Sequence, residues 1–76
     1  MFDAKTAIRI QDAIREERRF VPSLEDIMFR MTLVPSASSG CYSVFSLQYG
    51  DLTVLVGLFP NENGEIIGIR VKLVSW

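Results

Sequence analysis

Apolar residues recur at helical spacing in the N-terminal part of the chain and alternate with polar ones in the C-terminal half, so the period changes once. Ala7, Ile10 and Ile14, flanked by Ala4, Ile8 and Ala13, form one apolar stripe of a helix. Its other positions carry Lys5, Arg9, Asp12, Arg15, Glu16, Glu17, Arg18 and Arg19. Asp3 precedes the run and can accept a hydrogen bond from the free amides of the first turn, with Phe2 outside the cap. Arg18 and Arg19 fall where a helix C-terminus favours positive charge, and Pro22 bars continuation by pushing Val21 out of the helical region.

Ser23-Leu24-Glu25-Asp26 reads as a capping box with Asp in place of Glu or Gln. Leu24, Ile27, Met28 and Met31 follow at i, i+3, i+4 and i+7, which predicts a second helix ending at or before Pro35. At about two to three turns it is too short to stand alone in water and must dock. The run Pro35-Ser36-Ala37-Ser38-Ser39-Gly40 then breaks the pattern as a flexible connector, and everything before it reads as helix.

From Cys41 onward the residues are β-branched, aromatic and alternating, interrupted at Gly50-Asp51 and at Pro60-Asn61-Glu62-Asn63-Gly64. Strands are predicted at roughly 41–49, 52–59 and 65–75. A two-residue turn at Gly50-Asp51 sets Tyr49 opposite Leu52, Leu47 opposite Val54, Phe45 opposite Val56 and Ser43 opposite Leu58. A turn at Asn63-Gly64 sets Leu58 opposite Ile69, Val56 opposite Val71 and Val54 opposite Leu73, on the same face. A slip of one residue in either hairpin would turn Thr53, or Arg70 and Lys72, toward the core, so the alternation selects this pairing. The expected fold is α+β in the order α-α-β-β-β, a single domain over residues 1–76. Its two N-terminal helices pack on one face of a three-stranded antiparallel β-meander that is open at both edges.

The second face of that sheet is unusual, because a sheet covered by helices on one side normally shows polar residues on the other. Here the outer face carries Tyr42, Val44, Leu55, Phe59, Ile66, Val74 and Trp76 among Ser46, Gln48, Thr53, Arg70 and Lys72, with Gly57 and Gly68 between them. Tyr42 falls opposite Phe59 and Phe59 opposite Gly68, so aromatic rings gather beside glycines. Aromatic residues and arginine are the types enriched at protein interfaces. The expectation is therefore a small non-enzymatic protein-interaction module, a homo-oligomer or an accessory, regulatory or inhibitory subunit. It binds through the outer face or an edge of its sheet, with Tyr42, Val44, Leu55, Phe59, Arg70 and Trp76 as the binding residues. The bland reading of the same residues is that a loop or terminus of the chain folds over them.

Composition narrows the alternatives. With 76 residues, one cysteine and no histidine, the chain can form no internal disulfide and cannot assemble the four nitrogen or sulfur ligands of a structural zinc site. No metal and no cofactor is expected. A formal net charge of -1 provides no positive field for a phosphate backbone. No apolar run approaches the length of a membrane span, and Met1-Phe2-Asp3-Ala4-Lys5 lacks the features of a secretory signal, so a cytoplasmic setting without membrane contact is expected.

Candidate chemistry is sparse. Arg9, Arg15, Arg18 and Arg19 suggest an alternative, a nucleic-acid-binding or nuclease-like toxin domain, since arginine pairs with phosphate oxygens in bidentate geometry. Asp12, Glu16 and Glu17 interrupt that patch, which reads more simply as a solvated helix face with charge pairs. Glu65 with Arg70 offers no evident proton-transfer pair, and Cys41 has no histidine to deprotonate it, so no catalytic residue is expected. The serine-rich run lacks phosphate-loop spacing and leads into a strand. Met28 and Met31 sit at core spacing, which favours packing over an adaptable groove.

Overall fold

A computed structural model describes residues 2–17 and 20–75. Both helices begin where side-chain caps satisfy the free amides of their first turns. Helix α1 spans Ala4–Arg15, with the Thr6 amide donating to Asp3 Oδ1 at 2.8 Å. Helix α2 spans Leu24–Arg30, with the Asp26 amide donating to Ser23 Oγ at 3.1 Å. Between them Pro22 is buried, and its carbonyl accepts a 2.9 Å bond from Gln11 Nε2, which holds the connection against α1. Neither helix is long and apolar enough to cross a membrane.

The sheet has four strands, in the order β1 (Thr32–Leu33), β2 (Ser43–Tyr49), β3 (Leu52–Pro60) and β4 (Ile66–Ser75), all antiparallel. The α+β class is as expected, but the three-stranded meander is corrected by β1, which lies where the helical pattern was expected to continue. Met31 leaves the helix in an extended conformation, and Val34, biased the same way by Pro35, is also extended. The segment then pairs with β2, Thr32 opposite Ser46 and Leu33 opposite Phe45. An otherwise unpaired strand edge is the tertiary partner that draws these residues out of the helix.

The following segment is a short 3-10 turn, Pro35–Ala37, rather than a loose connector. The Val34 amide donates to the Val44 carbonyl at 2.8 Å. The Ser38 hydroxyl accepts from the Val44 amide at 2.9 Å and donates to the Val34 carbonyl at 2.8 Å. One side chain thus continues the ladder past the end of β1, and the edge of β2 expected to be open is covered from Val44 to Ser46. The Ser39 amide donates to the Tyr42 carbonyl at 2.9 Å, which brings the chain into β2.

Both hairpins hold the registers expected from alternation, with Phe45 opposite Val56 and Val56 opposite Val71 at their centres. Gly50, at φ 56°, opens the tight first turn. The second hairpin departs at its tip, where Pro60 pairs with Ile66 after Phe59 has paired with Gly68. Asn61 causes the difference: its Oδ1 accepts from the amides of both Asn63 and Glu65 at 2.9 Å, replacing a two-residue turn with a longer loop. The bulge reverses the faces of two residues. Ile66, expected on the outer face, packs against the core, while Ile67 is turned out and 68% exposed.

Ala7, Ile10 and Ile14 of α1 and Ile27 of α2 meet Leu47, Val54, Val56 and Leu58 in the core. Each fully buried aliphatic side chain of this kind stabilises the fold by roughly 1.5–3 kcal/mol. Helix α1 lies toward β4 and α2 toward β2. A polar tie fixes α2 in place: Tyr49 donates its hydroxyl to Asp26 Oδ2 at 2.5 Å, and Arg30 Nη1 stands 3.2 Å from the same oxygen. The Arg30 guanidinium lies 5.3 Å from the Tyr49 ring centre, and Phe20 meets that ring edge-on at 4.6 Å.

Candidate functional site

The face of the sheet turned away from the helices is laid out in rows by the strand registers. Tyr42 leads into β2 beside Phe59, which faces Gly68. Along the next row Val44, Gly57 and Arg70 are neighbours, and along the next Ser46, Leu55 and Lys72. Gly57 therefore sits in the middle of the face with no side chain of its own, and the larger residues around it enclose a trough.

Phe59 forms one wall. Its side chain borders both glycines: a Cβ placed on Gly57 would be 3.4 Å from Phe59 Cε1, and one on Gly68 would be 3.5 Å from Phe59 Cβ. The Tyr42 ring packs beside it, with centroids 5.3 Å apart and planes tilted by 32°. Val44 and Ala37 of the 3-10 turn close one end, Leu55 bounds the opposite side, and Arg70 and Lys72 stand along β4. The resulting groove is open and mostly apolar, with a volume of about 510 Å³. Such a volume lies within the roughly 300–1,000 Å³ of ordinary ligand pockets.

Its electrostatics are one-sided. The four strands contain no carboxylate, and their only charged residues are Arg70 and Lys72, both exposed. Among the described residues neither makes an ion pair; the pairs that form are Arg15 with Asp12 at 2.6 Å and Arg30 with Asp26 at 3.2 Å, both on the helices.

Of the expected binding residues, the structure brings Tyr42, Val44, Leu55, Phe59 and Arg70 together around this groove, the first four half-buried. Trp76 lies outside the described residues, as do Arg18 and Arg19 of the nucleic-acid alternative. Arg9 and Arg15 are exposed on α1, and Arg15 is held by Asp12. Sequence reasoning missed Ala37, because the segment carrying it shows no period and its place depends on the Ser38 bridge. It also missed Phe29 and Leu33, 59% and 46% exposed away from the groove. Leu33 was hidden by the expected extension of the second helix, and Phe29 by the stronger core stripe beside it.

Among the described residues no cluster of three or more metal-ligating side chains occurs. Cys41 is exposed as a free thiol. The hydrogen bond from Tyr49, assisted by Arg30, holds the Asp26 carboxyl below its ordinary range, whereas burial and then the Asp26 contact push the Tyr49 hydroxyl well above its own. That pair is a charge-assisted tie with Tyr49 as the donor, not an acid and base poised near neutrality. No protein-family model, curated protein or solved structure matches the chain.

Proposed function

We propose that the protein is a small non-enzymatic interaction module that binds a protein partner through the outer face of its sheet. The observation that carries this reading is the groove centred on Gly57, walled by the Tyr42–Phe59 aromatic pair and left uncovered by both helices. Half-buried aromatic side chains beside a vacant position offer a partner side chain a place to be desolvated, and aromatic residues and arginine dominate the energetics of protein interfaces. The rigid registers on either side of Gly57 preorganise the walls, which lowers the entropic cost of binding.

Selection of a random peptide display library against the intact chain tests the reading. Enriched peptides should lose binding to Phe59→Ser and Tyr42→Ser variants and retain it with Arg9→Gln and Arg15→Gln. Failure to enrich any peptide, or enrichment of peptides indifferent to Tyr42 and Phe59, would refute it.

A further inference from the structure

Resting on the reading of the groove as a protein-binding face, we infer that its partner is an acidic segment of another protein. An apolar side chain of that segment lies over Gly57 against Phe59, and flanking carboxylates pair with Arg70 and Lys72. Three observations converge. The trough is apolar where Val44, Leu55 and Phe59 surround Gly57, so its floor takes a hydrocarbon side chain. Its β4 side carries two exposed cations without ionic partners among the described residues. The strands offer no carboxylate to neutralise them, although the chain as a whole has a net charge of -1. A ligand that fills the groove therefore gains most when negative charge follows its apolar anchor, and Arg70 can hold a carboxylate in a bidentate pair.

The same charges argue against other occupants. All 9 acidic residues lie outside the strands, so a second copy docking its own outer face in two-fold symmetry would bring four cations together with no carboxylate from either copy's strands to offset them. An anionic membrane is recognised by clusters of about four to eight basic residues, and among the described residues the strands supply two, Arg70 and Lys72. The apolar side chains that line the trough, Val44, Leu55 and Phe59, are half-buried instead of projecting from the surface. Nucleic acid, which binds through many phosphate contacts, is disfavoured for the same shortage of charge.

The test is an amide NMR titration of the intact chain with three synthetic peptides that share alternating leucines and differ only in carrying glutamate, glutamine or lysine between them. The glutamate peptide should bind saturably, shifting the Leu55, Gly57 and Arg70 signals. Its affinity should fall about tenfold or more in the Arg70→Glu/Lys72→Glu variant, and also on raising the salt several-fold. Gly57→Val, which fills the trough and leaves both cations in place, should abolish the binding.

Equal binding of the glutamine peptide overturns the acidic preference while leaving the groove as a protein-binding face. Binding retained by Gly57→Val overturns the anchored geometry. Shifts confined to α1, no binding by any of the three peptides, preferential binding to phosphatidylserine vesicles, or a dimer in light scattering that Arg70→Glu dissociates would each overturn the inference. The peptide-library result decides separately on the groove itself.

Discussion

The two faces of the sheet are built from the same strands and nearly the same residue types, yet they behave differently. On the inner face Leu47, Val54, Val56 and Leu58 are buried beneath the helices; on the outer face Val44, Leu55 and Phe59 are half-buried and belong to a groove. Apolar composition alone does not tell which side of a strand stabilises a fold. The covering layer decides, and here two short helices suffice for one side only. The outer side keeps apolar area whose removal from water is available to another molecule.

Truncation of the core should separate the faces most sharply. Ile27→Ala, beneath α2, should lower the unfolding free energy by about 2–5 kcal/mol, whereas Leu55→Ala on the open face should cost less than about 1 kcal/mol because less area is restored to water. Urea denaturation measures both, and equal losses would erase the distinction.

A smaller effect is expected from Ser38→Ala, which removes the hydroxyl that joins Val44 to Val34 and supports the ridge carrying Ala37. The loss should be about 1–2 kcal/mol, the usual net worth of the two bonds removed. Hydrogen exchange should quicken at the Val44 amide and stay slow at Val54, a contrast that a mere lowering of global stability would not produce.

The smallest effect is a pH dependence confined to the helix side. Asp26 titrates below its ordinary 3.8 when folded, chiefly through the Tyr49 hydroxyl, so its contribution is present above that pH and lost as pH falls through the lowered value. Tyr49 titrates above its ordinary 10.0, so its contribution is complete below pH 10 and declines as pH rises beyond it. The acid and alkaline limbs of a pH–Tm profile should both flatten in Tyr49→Phe. Unchanged limbs would show that the tie contributes nothing.

The features legible in the sequence were those set by local period. Asp3 and Ser23 marked the helix starts, and the alternation of Phe45, Leu47, Val54, Val56, Val71 and Leu73 was enough to select both registers. The features that were not legible depend on partners distant in the chain or on one side chain's choice of bond. Thr32 and Leu33 become a strand only because β2 lies beside them. Ile66 and Ile67 exchange faces because Asn61 captures two amides and shifts the loop. The groove was half legible: the glycine and aromatic residues could be assigned to one face by parity, but its end at Ala37 follows from the Ser38 bridge.

That bridge has a further consequence for crowded solutions. The two-residue β1 and the Ser38 hydroxyl shield β2 from Val44 to Ser46, whereas β4 presents a ten-residue edge, the longer of the sheet's two borders. Lateral growth through main-chain bonding is therefore favoured at β4, and two copies joined there present outward only strands of two residues, too short to template a long ladder, which makes the molecule a poor seed for fibres even though its strands are rich in valine, leucine and isoleucine.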